Sequence, residues 1–306
     1  MSRSGSTRAI LAALAANAGI AAAKFIGFLV TGSSAMLAEA VHSVADTSNQ
    51  ALLLFGQRAA RKRADVLHPF GYGRSRYFWS FVVALVLFTQ GSVFALYEGY
   101  HKITHRGELC SPAVALVILL VATALEVFSF RTAIVQSRAL KGGGSWWRFI
   151  RNSRNPELPV VLLEDSGALV GLAFALAGVG LTVATGDPLW DGVGTLGIGV
   201  LLGLIATILM VEMHSLLIGE GATVAQTQAI RWALEATEHV DRVIHLRTQY
   251  LGPDEMLVAA KIAVGPHVEL ATVAATIDSA EANIRTAVPA ARVIYLEPDL
   301  DRVLTR

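Results

Sequence analysis

The sequence of 306 residues has a single cysteine, Cys110, and little charge. One cysteine excludes an intramolecular disulfide and a metal cluster held by several thiolates. Charged residues make up only 16% of the chain, against roughly 25% in a typical soluble domain. The formal net charge of +1 gives no indication of nucleic-acid binding. A soluble enzyme of this length would carry more charge.

Hydrophobic residues make up 54% of the chain and fall into long blocks. A helix needs about 20 predominantly apolar residues to span a bilayer. The first block is interrupted by Asn17 and Lys24 and has no small-residue cleavage site, so we interpret it as a span and not as a signal peptide. The sequence predicts an all-α, six-helix transmembrane domain over residues 1–220. Its six blocks are residues 10–30, 35–55, 77–97, 112–134, 158–184 and 192–218.

Basic residues in the short connections predict the orientation, because they concentrate on the cytoplasmic side. The N-terminal tail and the connections after the second and fourth blocks carry 14 Lys and Arg residues. The connections on the opposite side carry 2, Lys102 and Arg106. We therefore expect a multi-pass protein of a bacterial inner or plasma membrane, with both termini in the cytoplasm.

Residues 221–306 contain no span-length apolar run and predict a small cytoplasmic domain. Two segments have apolar residues at helical spacing, and three have the pattern of strands, the first two joined by a Gly-Pro-Asp turn. Their order, α-β-β-α-β, predicts a ferredoxin-like α+β fold. A domain this small buries little surface alone, so we expect it to dimerise and regulate. The segments are residues 222–239, 242–250, 256–264, 267–288 and 292–296.

Ionisable residues lie inside the second and fifth blocks, where they are rare, costly and usually functional. The second block has Glu39, His42 and Asp46, and the last two are four residues apart on one helix face. The fifth block has Glu164 and Asp165. A divalent cation held by imidazole and carboxylate would offset the cost of burying these groups, and zinc accepts both ligands. The alternative is a structural polar cluster in which His42 is hydrogen-bonded to Asp46.

Four segments resemble the cation diffusion facilitator family. They are SAMLAEAVHSVAD at residues 34–46, ADVLHPFGYGR at 64–74, LED at 163–165 and LLIGE at 216–220. The resemblance covers essentially the whole chain. Residues 156–165 and the pair Trp146-Trp147 are most similar to the mitochondrial zinc transporter branch and its bacterial relatives.

The resemblance implies a homodimer that exchanges a divalent cation, usually zinc, for protons by alternating access. The implied metal ligands are His42, Asp46 and Asp165. The family usually has a fourth ligand, a histidine, at the position of Val161. Water or Glu164 could fill that position, and Glu39 could be a further ligand or a supporting partner. Because a site with fewer nitrogen atoms prefers zinc less, manganese and iron stay open as substrates.

Two further metal sites of the family are incomplete in this chain. In the connection after the second block Asp65 and His68 match, but Tyr72 stands at the position of the second histidine. In the cytoplasmic domain Glu297 persists, but other residues replace the zinc-binding histidines. We therefore expect no structural zinc in that domain. The replacing residues are Ile244, Ala274 and Tyr295.

Three alternatives to an active metal transporter remain at this point. A non-transporting subunit of an active paralogue is compatible with the missing fifth-block histidine. An exporter of organic cations would need an aromatic-lined cavity, and the aromatic residues 77–79 are not beside His42. A hydrolytic enzyme is disfavoured because Ser43 points about 100° away from His42. We expect no enzyme activity and no cofactor beyond the transported cation and the counter-transported protons.

Overall fold

The computed structural model describes residues 14–15, 17–23, 25–26, 29, 34–105, 112–141 and 143–300. The side chains at 34–42, 45, 112, 139 and 140 lie outside the described part. The chain divides into two compact units. The first comprises Met1–Arg58 and Arg76–His214, and the second comprises Ala59–Ser75 and Ser215–Arg306.

The first unit is helical. Within the described residues, four helices are long and apolar enough to cross a membrane: α2, α5, α6 and the stretch Ala113–Arg138 of α3. Helix α1 is not among them, and the first hydrophobic block lies largely outside the described residues. The total of six therefore stays a prediction. The helices are α1 (Ser34–Ala59), α2 (Ser75–Thr104), α3 (Pro112–Lys141), α4 (Trp146–Asn152), α5 (Glu157–Thr185) and α6 (Leu189–Ile218).

Helix α2 contains a π-helical segment, Leu87–Val93, and packs tightly against α6. A Cβ atom added to Gly199 would lie 2.8 Å from the backbone nitrogen of Leu96. Next to this contact the Ser92 hydroxyl donates a 2.8 Å hydrogen bond to the Gly199 carbonyl. Small residues let membrane helices approach closely and bring polar groups into reach.

Helix α5 ends at a glycine turn that leads directly into α6. Gly186 has a φ of 73°, a left-handed conformation that L side chains rarely adopt. Its N–H donates to the Thr182 carbonyl at 2.8 Å, which closes the last turn. The Asp187 carboxylate then accepts a 3.0 Å bond from the Leu189 N–H at the start of α6. This short connection makes α5 and α6 neighbours in sequence.

The second unit has the predicted order α-β-β-α-β. The sheet order is β1-β2-β3, with β1 antiparallel and β3 parallel to the central strand β2. A cluster that includes Ile230, Leu234, Ile262 and Ile284 forms its apolar core. All three strands are longer than predicted. The elements are α7 (Val224–Glu235), β1 (Val240–Gly252), β2 (Glu255–Val264), α8 (Leu270–Ala287) and β3 (Ala291–Asp299).

The connection between α1 and α2 belongs to the second unit, since residues 59–75 group with it. A Cβ atom on Gly73 would lie 2.7 Å from the carbonyl oxygen of Leu251 and 3.0 Å from the Cα atom of Gly252. Only a glycine lets the connection lie this close to the end of β1.

Candidate metal site

Asp165 is a buried carboxylate on α5, and α3 supplies a hydrogen bond to it. The hydroxyl of Ser129 donates to Asp165 Oδ2 at 2.9 Å. Val161 lies one turn earlier on α5 and is also buried, within an apolar cluster. Asp165 is therefore oriented by a neighbouring helix, while the position of Val161 offers no ligand atom.

Glu164 is held by two amide side chains of α1. Asn49 Nδ2 donates to one carboxylate oxygen at 2.9 Å, and Gln50 Nε2 donates to the other at 3.2 Å. All three side chains are buried. Because each oxygen of Glu164 has an amide donor, this carboxylate is fixed against α1.

Asp46 is half-buried and lines a cavity of about 180 Å³ in the first unit. It lies within electrostatic range of both Glu164 and Asp165. The structure thus brings three predicted carboxylates from α1 and α5 into one polar region. The side chains of His42 and Glu39 lie outside the described residues. Across the side chains that are described, no group of three or more His, Cys, Asp or Glu could hold a metal ion.

Glu126 on α3 is a further buried acidic residue that the sequence reasoning missed. It lines the same cavity as Asp46. The signal was present in the sequence, because Glu126 is the only acidic residue between Pro112 and Lys141. An acidic residue alone in an apolar block is a candidate functional residue by itself.

Two ion pairs of the first unit lie at the ends of these helices. Glu157, at the start of α5, accepts two bonds from the Arg76 guanidinium, at 2.5 Å and 2.7 Å. Near the opposite end of α2, Lys102 Nζ lies 2.9 Å from Asp191 Oδ2, and both residues line the cavity. The cavity wall therefore carries charge at this end as well as beside Asp46.

The structure also brings Asp65 and His68 together, in the second unit. His68 Nδ1 lies 3.4 Å from Asp65 Oδ1, and both side chains are about half exposed. That oxygen also accepts the N–H groups of Leu67 and His68, while the Tyr72 hydroxyl donates to Oδ2 at 2.7 Å. The hydrogen bond from Tyr72, followed by the one from the backbone of His68, lowers the pKa of Asp65 below its usual value. The carboxylate is thus already bound by the loop's own donors.

Glu297 of the second unit is paired with a lysine. Lys261 Nζ lies 3.0 Å from Glu297 and 2.8 Å from Asp299, across the parallel pair β2 and β3. The hydrogen bonds to Asp299 and Glu297 raise the pKa of Lys261. An ammonium group therefore already pairs with Glu297.

Comparison with known proteins identifies relatives of this chain. A family model described as the cation efflux transmembrane domain matches residues 10–218. The mitochondrial proton-coupled zinc antiporter SLC30A9 of Homo sapiens is 32% identical over 241 residues, which cover 78% of this chain and 42% of that protein. Metal tolerance protein C4 of Arabidopsis thaliana is 30% identical over 259 residues, which cover 84% and 57%. The chain spans about half the length of these curated relatives.

A solved structure of a MamM C-terminal domain with two substitutions is also similar to part of the chain. It is 23% identical and covers 26% of this chain and 94% of its own, with a TM-score of 0.24. A likeness this low carries no structural argument.

Proposed function

Because this chain belongs to the cation diffusion facilitator family of multi-pass membrane transporters, we propose that it exports a divalent cation, zinc first, in exchange for protons. The observation that carries the proposal is the polar region inside the helical unit. Asp46 from α1 lines a cavity there, within electrostatic range of the buried Asp165 on α5. Carboxylates at such a position call for a positively charged partner.

The proposed ligands are His42, Asp46 and Asp165. The Ser129 hydroxyl donates to Oδ2 of Asp165, and the atom proposed to bind the metal ion is Oδ1. His42 shares a helix face with Asp46, one turn earlier on α1. Glu164, which is held by Asn49 and Gln50, supports the site as a nearby negative charge and is not a ligand in this arrangement.

Proton exchange follows from competition for the same atoms. Imidazole and carboxylate bind a metal ion only when they are deprotonated, so binding a cation on one side of the membrane releases protons there. On the other side, protons that bind to the same atoms displace the cation. Alternating access of one site to the two sides then exchanges the cation for protons.

The cavity gives this cycle a direction. It extends from Asp46 to Lys102 and Asp191 near the end of α2. The loop charges favour an outer position for that end and a cytoplasmic position for both termini. The cavity is then the outward path, in a bacterial inner membrane, and the transporter is a homodimer with cytoplasmic domains formed by residues 221–306.

Manganese or iron export is the second candidate, and one observation favours it. The described carboxylates of the region, Asp46, Glu164 and Asp165, offer only oxygen atoms as ligands, and Val161 contributes no nitrogen atom. Carboxylate oxygen suits manganese and magnesium better than it suits zinc. Competition between zinc and manganese in one transport assay decides between the two.

Reconstitution of the purified chain in proteoliposomes with a pH gradient and an enclosed zinc dye tests the proposal. We expect proton-driven zinc uptake for the wild type, and its loss for Asp46→Asn and Asp165→Asn. The control is Glu212→Gln, because Glu212 is a buried acidic residue that pairs with Arg151 and does not line the cavity. Wild-type rates in both aspartate variants would refute the site. If the purified wild-type chain takes up no zinc by itself, the result would instead favour a non-transporting subunit.

A further inference from the structure

Helix α4 lies in the connection between α3 and α5, and none of its residues is buried. It nevertheless begins with two tryptophans, Trp146 and Trp147. The helices before and after it are long and apolar enough to cross a membrane, over Ala113–Arg138 and Glu157–Thr185. A connection between two spans lies where the chain leaves the hydrocarbon, at the level of the lipid headgroups. Tryptophan is enriched at that level in membrane proteins.

Helix α4 has an inner and an outer face. Phe149 packs against an apolar cluster of the helical unit that includes Val160 and Leu209. Trp147 precedes Phe149 by two residues, so it points about 160° away from it around the helix axis. Trp147 is accordingly 56% exposed. The outer face therefore presents a large apolar ring, whose exposure to water is unfavourable.

Positive charge accompanies the tryptophan on this outer face. Arg151 follows Trp147 by four residues, so the guanidinium and the indole lie on one side of the helix. Arg148 is three residues from Arg151 and is also its neighbour. Both arginines are exposed. Between Arg138 and Pro156 the chain has five basic residues and no acidic residue; the five are Arg138, Lys141, Arg148, Arg151 and Arg154.

Contacts inside the helical unit hold two of these cations in place and leave the outer charge available. Arg151 Nε lies 3.2 Å from Glu212 Oε1 of α6, yet the Arg151 side chain stays 59% exposed. Lys141 Nζ lies 5.1 Å from the centre of the Trp146 ring and donates to a carbonyl of the α3–α4 connection. Within the described part of the chain, no carboxylate pairs with Arg148. The outer face of α4 can therefore bind an external anion.

We propose that α4 is a docking site for an anionic phospholipid, with Trp147 in the headgroup region and Arg148 and Arg151 on the phosphate. A guanidinium group matches the oxygen atoms of a phosphate in geometry as well as in charge. Clusters of basic residues directly beside a membrane helix bind anionic lipids. The loop charges favour the cytoplasmic side for this connection, where the leaflet carries a negative surface potential. The site is separate from the path of the transported cation.

The charge of α4 argues against a second copy of the chain as the occupant. A twofold contact brings the same patch of two subunits together, so this face would meet its own positive charge. An anionic phospholipid instead supplies a negative headgroup and, next to it, acyl chains for the exposed indole.

The test is a titration of the detergent-purified full chain with dioleoyl phosphatidylglycerol and dioleoyl phosphatidylcholine, read by native mass spectrometry. We expect the wild type to prefer phosphatidylglycerol. Arg148→Gln should weaken the binding of this lipid about fivefold and leave phosphatidylcholine unchanged, whereas Arg148→Lys keeps the charge and most of the affinity. The matched control is Arg292→Gln, which removes one charge from an exposed position on β3. Trp147→Ala should weaken the binding of both lipids, because it removes apolar contact area.

The outcomes separate a lipid site from other uses of this face. If Arg148→Gln binds phosphatidylglycerol with wild-type affinity, or if Arg292→Gln loses as much, the proposal is overturned. Should Trp147→Ala fail to fold, the comparison of Arg148→Gln with Arg148→Lys decides the question by charge alone. A changed oligomeric state in Trp147→Ala with unchanged lipid binding would show an interface between copies and overturn the proposal.

Competition with inorganic phosphate completes the test. Displacement of phosphatidylglycerol by an equal concentration of phosphate would show a site for a soluble anion, whereas a lipid site retains its lipid. Because the measured quantity is lipid binding, a wild type that transports no cation would refute the proposed function and leave this inference standing.

Discussion

The ion pair between Arg76 and Glu157 offers a quantitative test of the helical unit. Glu157 is 1% exposed and the Arg76 side chain 12% exposed, with two contacts at 2.5 Å and 2.7 Å. Unit charges about 4 Å apart attract by about 4 kcal/mol at an effective dielectric constant of about 20. Both charges lose hydration on burial, so the net contribution of the pair is smaller than this attraction.

Removal of one partner has a larger effect than removal of both. Arg76→Met leaves the Glu157 carboxylate buried without its partner, which we expect to lower the free energy of unfolding by about 3–5 kcal/mol. Glu157→Leu leaves the more exposed arginine, which can turn toward water, so its effect is smaller. The double variant Arg76→Met with Glu157→Leu removes both charges and regains most of the loss.

Equilibrium unfolding in mixed micelles, followed by tryptophan fluorescence, measures the three variants against the wild type. The analysis is a double-mutant cycle, so the coupling between the two residues is obtained directly. A double variant as unstable as the sum of the two single variants would show that the pair is not coupled. An Arg76→Met protein within about 1 kcal/mol of the wild type would contradict the reasoning on burial.

Two further predictions concern a helix contact and a loop. Gly199→Ala places a Cβ atom 2.8 Å from the backbone nitrogen of Leu96, so we expect it to lower the melting temperature. The control Gly180→Ala has open space around its Cβ atom and should leave the melting temperature unchanged. Thermal melts in detergent compare the two variants, and equal melting temperatures would contradict the close packing of α2 and α6. Tyr72→Phe removes the main cause of the lowered pKa of Asp65, so this pKa rises toward its ordinary value. Because the pKa of Asp65 is depressed in the folded chain, its stabilising effect is present above the ordinary value and lost as the pH falls through the depressed value. Carboxyl NMR titration of the full chain, with Asp65→Asn for assignment, measures the pH at which Asp65 becomes protonated. We expect this pH to be higher in Tyr72→Phe than in the wild type, and an unchanged titration would refute the role of Tyr72.

The elements of the fold were predictable where one face or one whole helix is apolar. The blocks that became α2, α5 and α6 are continuous runs of apolar residues, and the alternation around Val243 and Val258 marked two strands. The number of membrane spans does not follow from apolar runs alone, because of helix α1. Helix α1 mixes apolar residues with Glu39, Asp46 and Arg58, and hydropathy alone does not decide how such a helix lies in a bilayer.

The candidate site was predictable only in part, because its contacts join residues far apart in sequence. The spacing of His42 and Asp46 shows a shared helix face, but no periodicity reveals that Asn49 and Gln50 hold Glu164. Long-range contacts of this kind depend on how helices pack. Their pairing became visible only in the folded chain, and the set of metal ligands stays a prediction.

The pairing of Lys261 with Glu297 and Asp299 is a further contact that the sequence did not reveal. The register of β2 and β3 places Lys261 directly opposite Glu297. A strand pattern predicts which face a residue lies on, but not which residue lies across from it. The parallel pairing of β2 with β3 supplies that information.

The π-helical segment of α2 changes the helical phase between the two halves of that helix. Each residue that a π turn inserts shifts all later side chains by about 100° around the axis. Glu98 and Lys102 follow the segment and Gly91 lies within it, yet all three line the same cavity. The extra backbone thus sets which charges of the C-terminal half of α2 face the cavity, independently of its N-terminal half. Deletion of a single residue in Leu87–Val93 would turn Glu98 and Lys102 away from that space without altering either side chain.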